Sequence, residues 1–247
     1  MIHDAAPLRH PGWYSRSYAL WQRALLPTIA RRALHVITVS QFSRAELVEL
    51  LDLAPARVTV VPGGVGEAFS RPAPPARRAR PYVLCVASHT ARKNLGALVP
   101  AACALAPEGI DVVVAGGHRP QFTRERGLER LTLLGHVPDA ELPGLYAGAA
   151  AFVLPSRYEG FGLPVLEAMA AGTPVLAAAT GALPETCGGA ARLVAPDPEA
   201  IRAGLLSLLA DEPERARLRA AGLAHAAGYT WDRTARAVDA VLERLAG

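Results

Sequence analysis

Two hydrophobic rhythms divide this chain. Short apolar runs, rich in β-branched residues and bounded by Pro, Gly or polar positions, fall at Val36–Val39, Val58–Val61, Tyr82–Val86, Asp111–Ala115, Leu131–Leu134, Ala151–Leu154, Pro174–Ala177 and Ala191–Val194. Runs of this length and bounding predict buried strands. Between them, longer amphipathic stretches predict helices at Ser15–Leu34, Leu95–Leu105, Gln121–Leu128, Asp139–Ala149, Val165–Ala171, Pro198–Ala210, Pro213–Ala226 and Trp231–Leu245. Ser43-Arg-Ala-Glu46 reads as a capping box opening a helix to Leu51, and Asp197 as an N-cap. From Tyr82 onward strand and helix alternate, which argues for an α/β fold with a Rossmann-like parallel sheet covered on both faces. Ligands of such a sheet bind beyond the carboxyl ends of its strands, where Ser88–Asn94, Gly116–Arg119 and Pro155–Leu163 would meet.

One block is dense in chemistry. Residues 156–175 place two carboxylates, Glu159 and Glu167, around the Gly160-Phe161-Gly162 turn and a helix opened by Pro164. Proline suits the start of a helix, where its missing N–H costs nothing. Strand, glycine turn and helix N-terminus together make an anion site, because free N–H groups around Gly162 and Leu163 and the positive end of the dipole point at one spot. Glu167 lies one turn in. A carboxylate there would repel phosphate, so accepting hydrogen bonds from a diol beside the phosphates suits it better. The ligand so described carries phosphate, ribose hydroxyls and a sugar.

The block Glu159-Gly-Phe-Gly-Leu-Pro-Val-Leu-Glu167 resembles the Glu-x7-Glu motif of the family 4 glycosyltransferases, retaining sugar-nucleotide enzymes of the GT-B fold. Further stretches match in order: His3-Asp4, Val39-Ser40-Gln41-Phe42-Ser43, Val61-Pro62-Gly63-Gly64-Val65, Arg92-Lys93-Asn94, Val114-Ala115-Gly116-Gly117, Gly135-His136-Val137 and Thr230-Trp231. The resemblance implies that residues 82–229 bind the donor, that 70–81 form a proline-dense linker, and that 1–69 are a partial Rossmann-like remnant of the acceptor-side domain. It also implies a terminal helix, 230–247, packed back on the N-terminal part. A complete Rossmann domain needs roughly 100 residues or more, so the first elements of the acceptor domain are expected to be absent. A truncated product, a separate polypeptide supplying that half, or a misassigned start all fit. The isolated chain is then expected to bind donor and transfer slowly or not at all.

By the same resemblance Glu159 and His3 are the candidate catalytic residues, Glu159 contacting donor sugar hydroxyls from a free loop position. Arg92 and Lys93 would neutralise the diphosphate leaving group. Relatives carry a further Arg after the first strand of this domain, where the present chain has Ser88-His89, so Arg92 would take that duty. Gly64, Ser156, Gly160, Phe161, Gly162 and Leu163 would line the donor, His136 and Val137 would meet the base, and Glu167 the ribose. Phe161 is equally a core residue, and Gly135-His136 equally a plain turn. The donor would be a nucleoside diphosphate sugar, mannose-like, and the acceptor a carbohydrate or lipid-linked species. A non-catalytic sugar-nucleotide-binding subunit is the alternative.

Composition narrows the rest. Of 26 basic residues only Lys93 is lysine, and a compact ammonium retained beside a strand end supports a phosphate-binding role. No Asp-x-Asp pair precedes the sugar block and no Cys/His spacing suits a metal, so neither metal nor cofactor is expected. Cys85, Cys103 and Cys187 are odd in number and set in apolar surroundings, and read as reduced core thiols of a cytoplasmic protein. No run reaches the roughly 18 apolar residues of a membrane span. The net charge of +4 is compatible with peripheral contact at the inner face of a membrane. Arg77-Arg78-Ala79-Arg80 reads as a solvated connector, and nothing else is dense enough for nucleic acid.

Overall fold

The computed structural model describes residues 1–71, 73–117, 121 and 125–246. Helix α1 (Ala6–Arg9) and helix α2 (Arg16–Arg32) precede strand β1 (Val36–Thr38), helix α3 (Gln41–Leu51), strand β2 (Val58–Val60) and helix α4 (Glu67–Ser70). β1 and β2 pair in parallel, and the Ile2 N–H donates to Ile37 O at 2.9 Å along the free side of β1. Then follow β3 (Tyr82–Val86), α5 (Val99–Leu105), β4 (Asp111–Ala115), β5 (Thr132–Gly135), α6 (Leu142–Gly148) and β6 (Ala151–Leu154). The chain closes with α7 (Leu163–Ala170), β7 (Val175–Ala178), α8 (Leu183–Cys187), β8 (Arg192–Val194), α9 (Pro198–Ala210), α10 (Glu212–Ala226) and α11 (Trp231–Ala246).

The larger sheet runs β5-β4-β3-β6-β7-β8, all pairs parallel. Strand order reverses between β3 and β6, which opens a crevice beyond their carboxyl ends. Both central strands read as continuous apolar runs because helices cover both faces. Leu84, Phe152 and Leu154 pack with Leu166 and Met169 on one face; Val83, Cys85 and Val153 pack with Leu98 and Leu205 on the other. The period-2 alternation of side chains thus feeds two cores from one strand. Tyr82 is fully buried in this setting, its hydroxyl donating to Leu145 O at 2.7 Å.

Several local expectations are corrected. Ser40, not Ser43, caps α3: its Oγ accepts from the Ser43 N–H at 2.9 Å, and Glu46 is drawn off to Arg9 at 2.6 Å instead of closing a capping box. The helix expected at Gln121–Leu128 is absent from 125–128, while 122–124 lie outside the described residues, as do 118–119 of the Gly116–Arg119 loop. Helix α6 starts three residues later than Asp139, and α7 begins at Leu163, putting Pro164 second. Gly162 at φ 98° makes that earlier start available, because its left-handed turn aims the chain into the helix directly. Cys85 and Cys187 are buried, but Cys103 is exposed on the outer side of α5.

The proline-dense stretch is not a loose tether. Ala76 N–H donates to Gly144 O at 2.8 Å, and Arg80 bonds Ala106 O and Gly109 O while pairing with Asp111 at 3.2 Å. At the far end, Val65 N–H donates to Tyr229 O at 2.9 Å and Thr234 Oγ1 to Pro62 O at 2.8 Å, which holds the start of α11 against the residues after β2.

Candidate functional site

The crevice at the strand-order reversal holds a cavity of about 600 Å³ lined by Ser88, Arg92, Lys93, Gly116, Gly117, His136, Val137, Asp139 and Pro164 among others. Each flank comes from a different strand end. After β3 the chain makes a tight turn at Ala91–Lys93 that Asn94 terminates at φ 56°, a left-handed conformation that asparagine tolerates. Asn94 Nδ2 then donates to Pro155 O at 3.0 Å and Pro196 O at 2.9 Å, tying this turn to the loop after β6. Arg92 and Lys93 are therefore presented on a turn fixed at its base.

Behind these cations, Glu159 is not the free loop acid expected. It is 5% exposed. Its Oε1 accepts from Lys93 Nζ at 2.6 Å and from Ser156 Oγ at 2.6 Å, and its Oε2 from Arg92 at 3.3 Å. Burial pushes the Glu159 carboxyl up, but Lys93 and Arg92 outweigh it and hold the group below the usual carboxylate range. Burial likewise pushes the Arg92 guanidinium down, and Glu159 together with Asp4, Tyr14 and Tyr158 more than offsets it, leaving it above its ordinary value. Two cations against one anion leave this cluster one net positive charge, and Asp139 lines the same cavity. A carboxylate has about four acceptor sites, and three donors use three of them here.

The loop carrying Glu159 is pinned carbonyl by carbonyl. Asn94 holds Pro155 O, Thr180 Oγ1 holds Ser156 O at 2.6 Å, and Arg92 reaches Tyr158 O at 3.3 Å. Ala182 N–H holds Glu159 O at 2.9 Å, Ser40 and Ser43 hold Gly160 O at 2.6 and 3.0 Å, and Thr186 holds Phe161 O. Gly160 has to be glycine because a Cβ there would come within 2.6 Å of Asp4 Cβ. His3, exposed, and Asp4 are thereby brought to the Glu159–Gly160 loop, with the His3 carbonyl accepting from Thr38 Oγ1.

On α7, whose Pro164 lines the cavity, Glu167 accepts from the Tyr146 hydroxyl at 2.8 Å. Burial raises its carboxyl above the usual range, the Tyr146 bond opposes this, and Asp139 adds to it. Tyr146 and Asp139 escaped the sequence reading: Tyr146 looks like any core aromatic, and Asp139 like a helix start. Of the anticipated residues, Arg92, Lys93, His136 and Val137 line the cavity, and Glu159 and Ser156 stand directly behind the cations. Phe161 sits against Tyr229, ring centroids 6.1 Å apart, and Leu163 packs on the core. Gly64 lies against the Thr230–Trp231 backbone, where a Cβ would come within 2.4 Å of Trp231 N. Packing accounts for these three without a ligand.

The chain has relatives among known proteins. The description "Glycosyl transferases group 1" matches residues 80–211, and "Glycosyltransferase Family 4" matches residues 1–69. The chain belongs to the group 1 glycosyltransferases. Among relatives of this glycosyltransferase chain is the O-antigen chain mannosyltransferase B of Escherichia coli, 32% identical over 253 residues, covering 94% of this chain and 66% of that protein. The structure of sucrose-phosphate synthase from Thermosynechococcus elongatus superposes with a TM-score of 0.76 at 25% identity, covering 92% of this chain and 62% of the synthase. Anabaena Alr3699/HepE, solved in complex with UDP-glucose, shares the fold with a TM-score of 0.74 at 19% identity, over 90% of this chain and 67% of that one. The six-stranded sheet of the glycosyltransferase chain is thus that of GT-B enzymes. The chain spans just under two thirds of the length of its mannosyltransferase relative. Among the described residues no helix is long and apolar enough to cross a membrane.

Proposed function

We propose that this chain binds a nucleoside diphosphate sugar in the β3/β6 crevice and transfers its hexose, mannose-like, to a carbohydrate or lipid-linked acceptor with retention at the anomeric carbon. The observation that carries this reading is the Arg92–Lys93–Glu159 cluster, with its net positive charge, on the wall of a cavity large enough for a nucleotide. The diphosphate lies against Lys93 and Arg92, whose charge offsets what builds up on the leaving phosphate as the glycosidic bond breaks, the step where preorganised charge is worth most. Lysine offers three donors, and Glu159 takes one. These cations perform the neutralisation that a metal ion performs elsewhere.

Glu159, behind the cations, keeps one acceptor site for a sugar hydroxyl and supplies negative charge beside the anomeric centre. Glu167 accepts from the ribose diol, and His136 and Val137 meet the base by backbone contact. His3, at the Glu159–Gly160 loop, faces the sugar and acceptor. Attack comes from the face the diphosphate leaves, with the leaving phosphate taking the acceptor proton. Residues 82–229 form the donor-binding unit and 1–69 the acceptor side. The relative's mannosyltransferase name supports mannose, and the UDP-glucose bound to the Anabaena protein supports a sugar nucleotide as the donor class.

Titrating the chain calorimetrically with GDP, GDP-mannose, UDP and UDP-glucose tests the reading. One base should bind and its sugar form should bind more tightly. Binding of none at millimolar concentration, or equal binding by a Lys93→Ala variant, would reject it.

A further inference from the structure

The Ser-x-x-Ser of Val39–Ser43 has no part in the donor contacts above, yet it reaches the loop that carries Glu159. Ser40 Oγ donates to Gly160 O at 2.6 Å and Ser43 Oγ donates to the same oxygen at 3.0 Å. Both serines are buried, 3% and 0% exposed. Two hydroxyl donors converge on one carbonyl, 120 and 117 residues away in sequence, and between them occupy both of its acceptor lone pairs. The same corner is closed from the other side: Glu185 of α8 accepts from the Gln41 and Phe42 N–H groups at 2.9 and 3.2 Å, at the positive end of α3.

We infer that Ser40 and Ser43 are positioning residues that set Glu159 against the donor sugar by clamping the Gly160 carbonyl, so that the N-terminal segment controls sugar reading on the opposite side of the crevice. Gly160 is the next residue after Glu159, and its peptide is held on one side by these hydroxyls and on the other by Asp4, against which a Cβ at Gly160 would collide. Releasing the carbonyl frees the Gly160–Phe161 peptide and loosens the turn that follows Glu159, whose own carbonyl stays with the Ala182 N–H, so the Glu159 side chain is aimed less firmly at Lys93 and Ser156. The turn that presents Lys93 and Arg92 has its own anchor in Asn94, so the diphosphate contacts change less than the sugar contact. The inference rests on the proposed nucleotide-sugar site.

The variant Ser43→Ala removes one clamp and nothing else recorded for that hydroxyl. Ser40→Ala removes the other together with the α3 cap, and Ser40→Thr keeps both cap and donor. Calorimetry with GDP and GDP-mannose, and with UDP and UDP-glucose, should show that Ser43→Ala weakens the sugar nucleotide about tenfold, the scale of one hydrogen bond, and shifts the bare nucleotide less than about twofold. Ser40→Thr should match the natural chain and Ser40→Ala should not. Equal loss for sugar-bearing and bare nucleotide would mark a structural role only and overturn the inference, as would no change. Amide hydrogen exchange decides the clamp without nucleotide: Ser43→Ala should speed exchange across 158–163 and leave 44–51 unchanged, and unaltered exchange across 158–163 overturns it. A natural chain that binds no nucleotide would sink the functional reading, and the exchange result would still decide the clamp.

Discussion

Lys93 Nζ lies 2.6 Å from Glu159 Oε1, and the two side chains meet from opposite sides of the sheet's switch point, one following β3 and the other β6. Both are nearly buried, with side-chain exposures of 10% and 6%. Taking two charges out of water costs several kcal/mol per ion, which the mutual attraction returns only in part. Such a pair is poorly explained as a device for stability. It is well explained as a preset charge pattern at a site where an anion arrives.

That argument separates stability from function. Lys93→Met should destabilise the chain by about 3 kcal/mol, the low end for a broken buried pair, because Arg92 and Ser156 still serve Glu159. Lys93→Met combined with Glu159→Gln should recover most of that loss in urea unfolding and still fail to bind nucleotide. A double variant no more stable than the single one would show that the pair does not couple.

Nucleotide affinity should depend on Lys93 through charge-assisted hydrogen bonds. Lys93→Ala should weaken nucleoside diphosphate binding by about 1.5–3 kcal/mol, read by calorimetry at fixed ionic strength. Glu159→Ala should leave the bare diphosphate nearly unchanged and lower discrimination for the sugar form. Glu167→Ala should weaken both forms. Identical losses from the two glutamate changes on the bare nucleotide would reject the division of roles.

The two glutamates should also part with pH. Burial holds Glu167 above the usual carboxylate range, whereas Lys93 and Arg92, against burial, hold Glu159 below it. As pH falls from neutral, Glu167 protonates first and loses its use as a diol acceptor, while Glu159 stays ionised. The stability contributions have opposite signs. That of Glu159 is present above its unfolded value and lost as pH falls through its lower folded value; protonation of Glu167 on falling pH favours the folded chain. Nucleotide affinity of the natural chain should therefore drop in mild acid relative to a Glu167→Gln variant, a ratio in which titration of the diphosphate itself cancels. Parallel pH profiles for the two proteins would refute this.

Gly160 should report on the seat of the N-terminal segment. Gly160→Ala drives a Cβ to within 2.6 Å of Asp4 Cβ and should cost about 1–3 kcal/mol, the range for overpacking. Asp4→Gly removes the opposing atom and should recover part of that loss in a double-mutant cycle, because residues in contact do not add. Strict additivity would place the strain elsewhere.

The strand pattern and the helices from α9 onward were legible in the sequence to within about two residues, because burial on both faces writes a parallel strand as an unbroken apolar run and a covering helix as a 3.6-residue stripe. The places of Arg92, Lys93, Glu159 and Glu167 in the fold were legible too, since each follows a strand end or lies near a helix start. What a single charge does once there was not. Sequence placed Glu159 on an open loop; folding buried it between Lys93, Arg92 and Ser156, because three segments converge where the strand order reverses. The cap at Ser40 in place of Ser43, the capture of Glu46 by Arg9, and the packing of Gly64 under Trp231 follow from the same cause. Local sequence offers a hydroxyl or carboxylate several partners of nearly equal worth, and the choice among them is made by residues far along the chain, 37 positions for Arg9 and Glu46 and 66 for Lys93 and Glu159, that only the tertiary structure brings within hydrogen-bond reach.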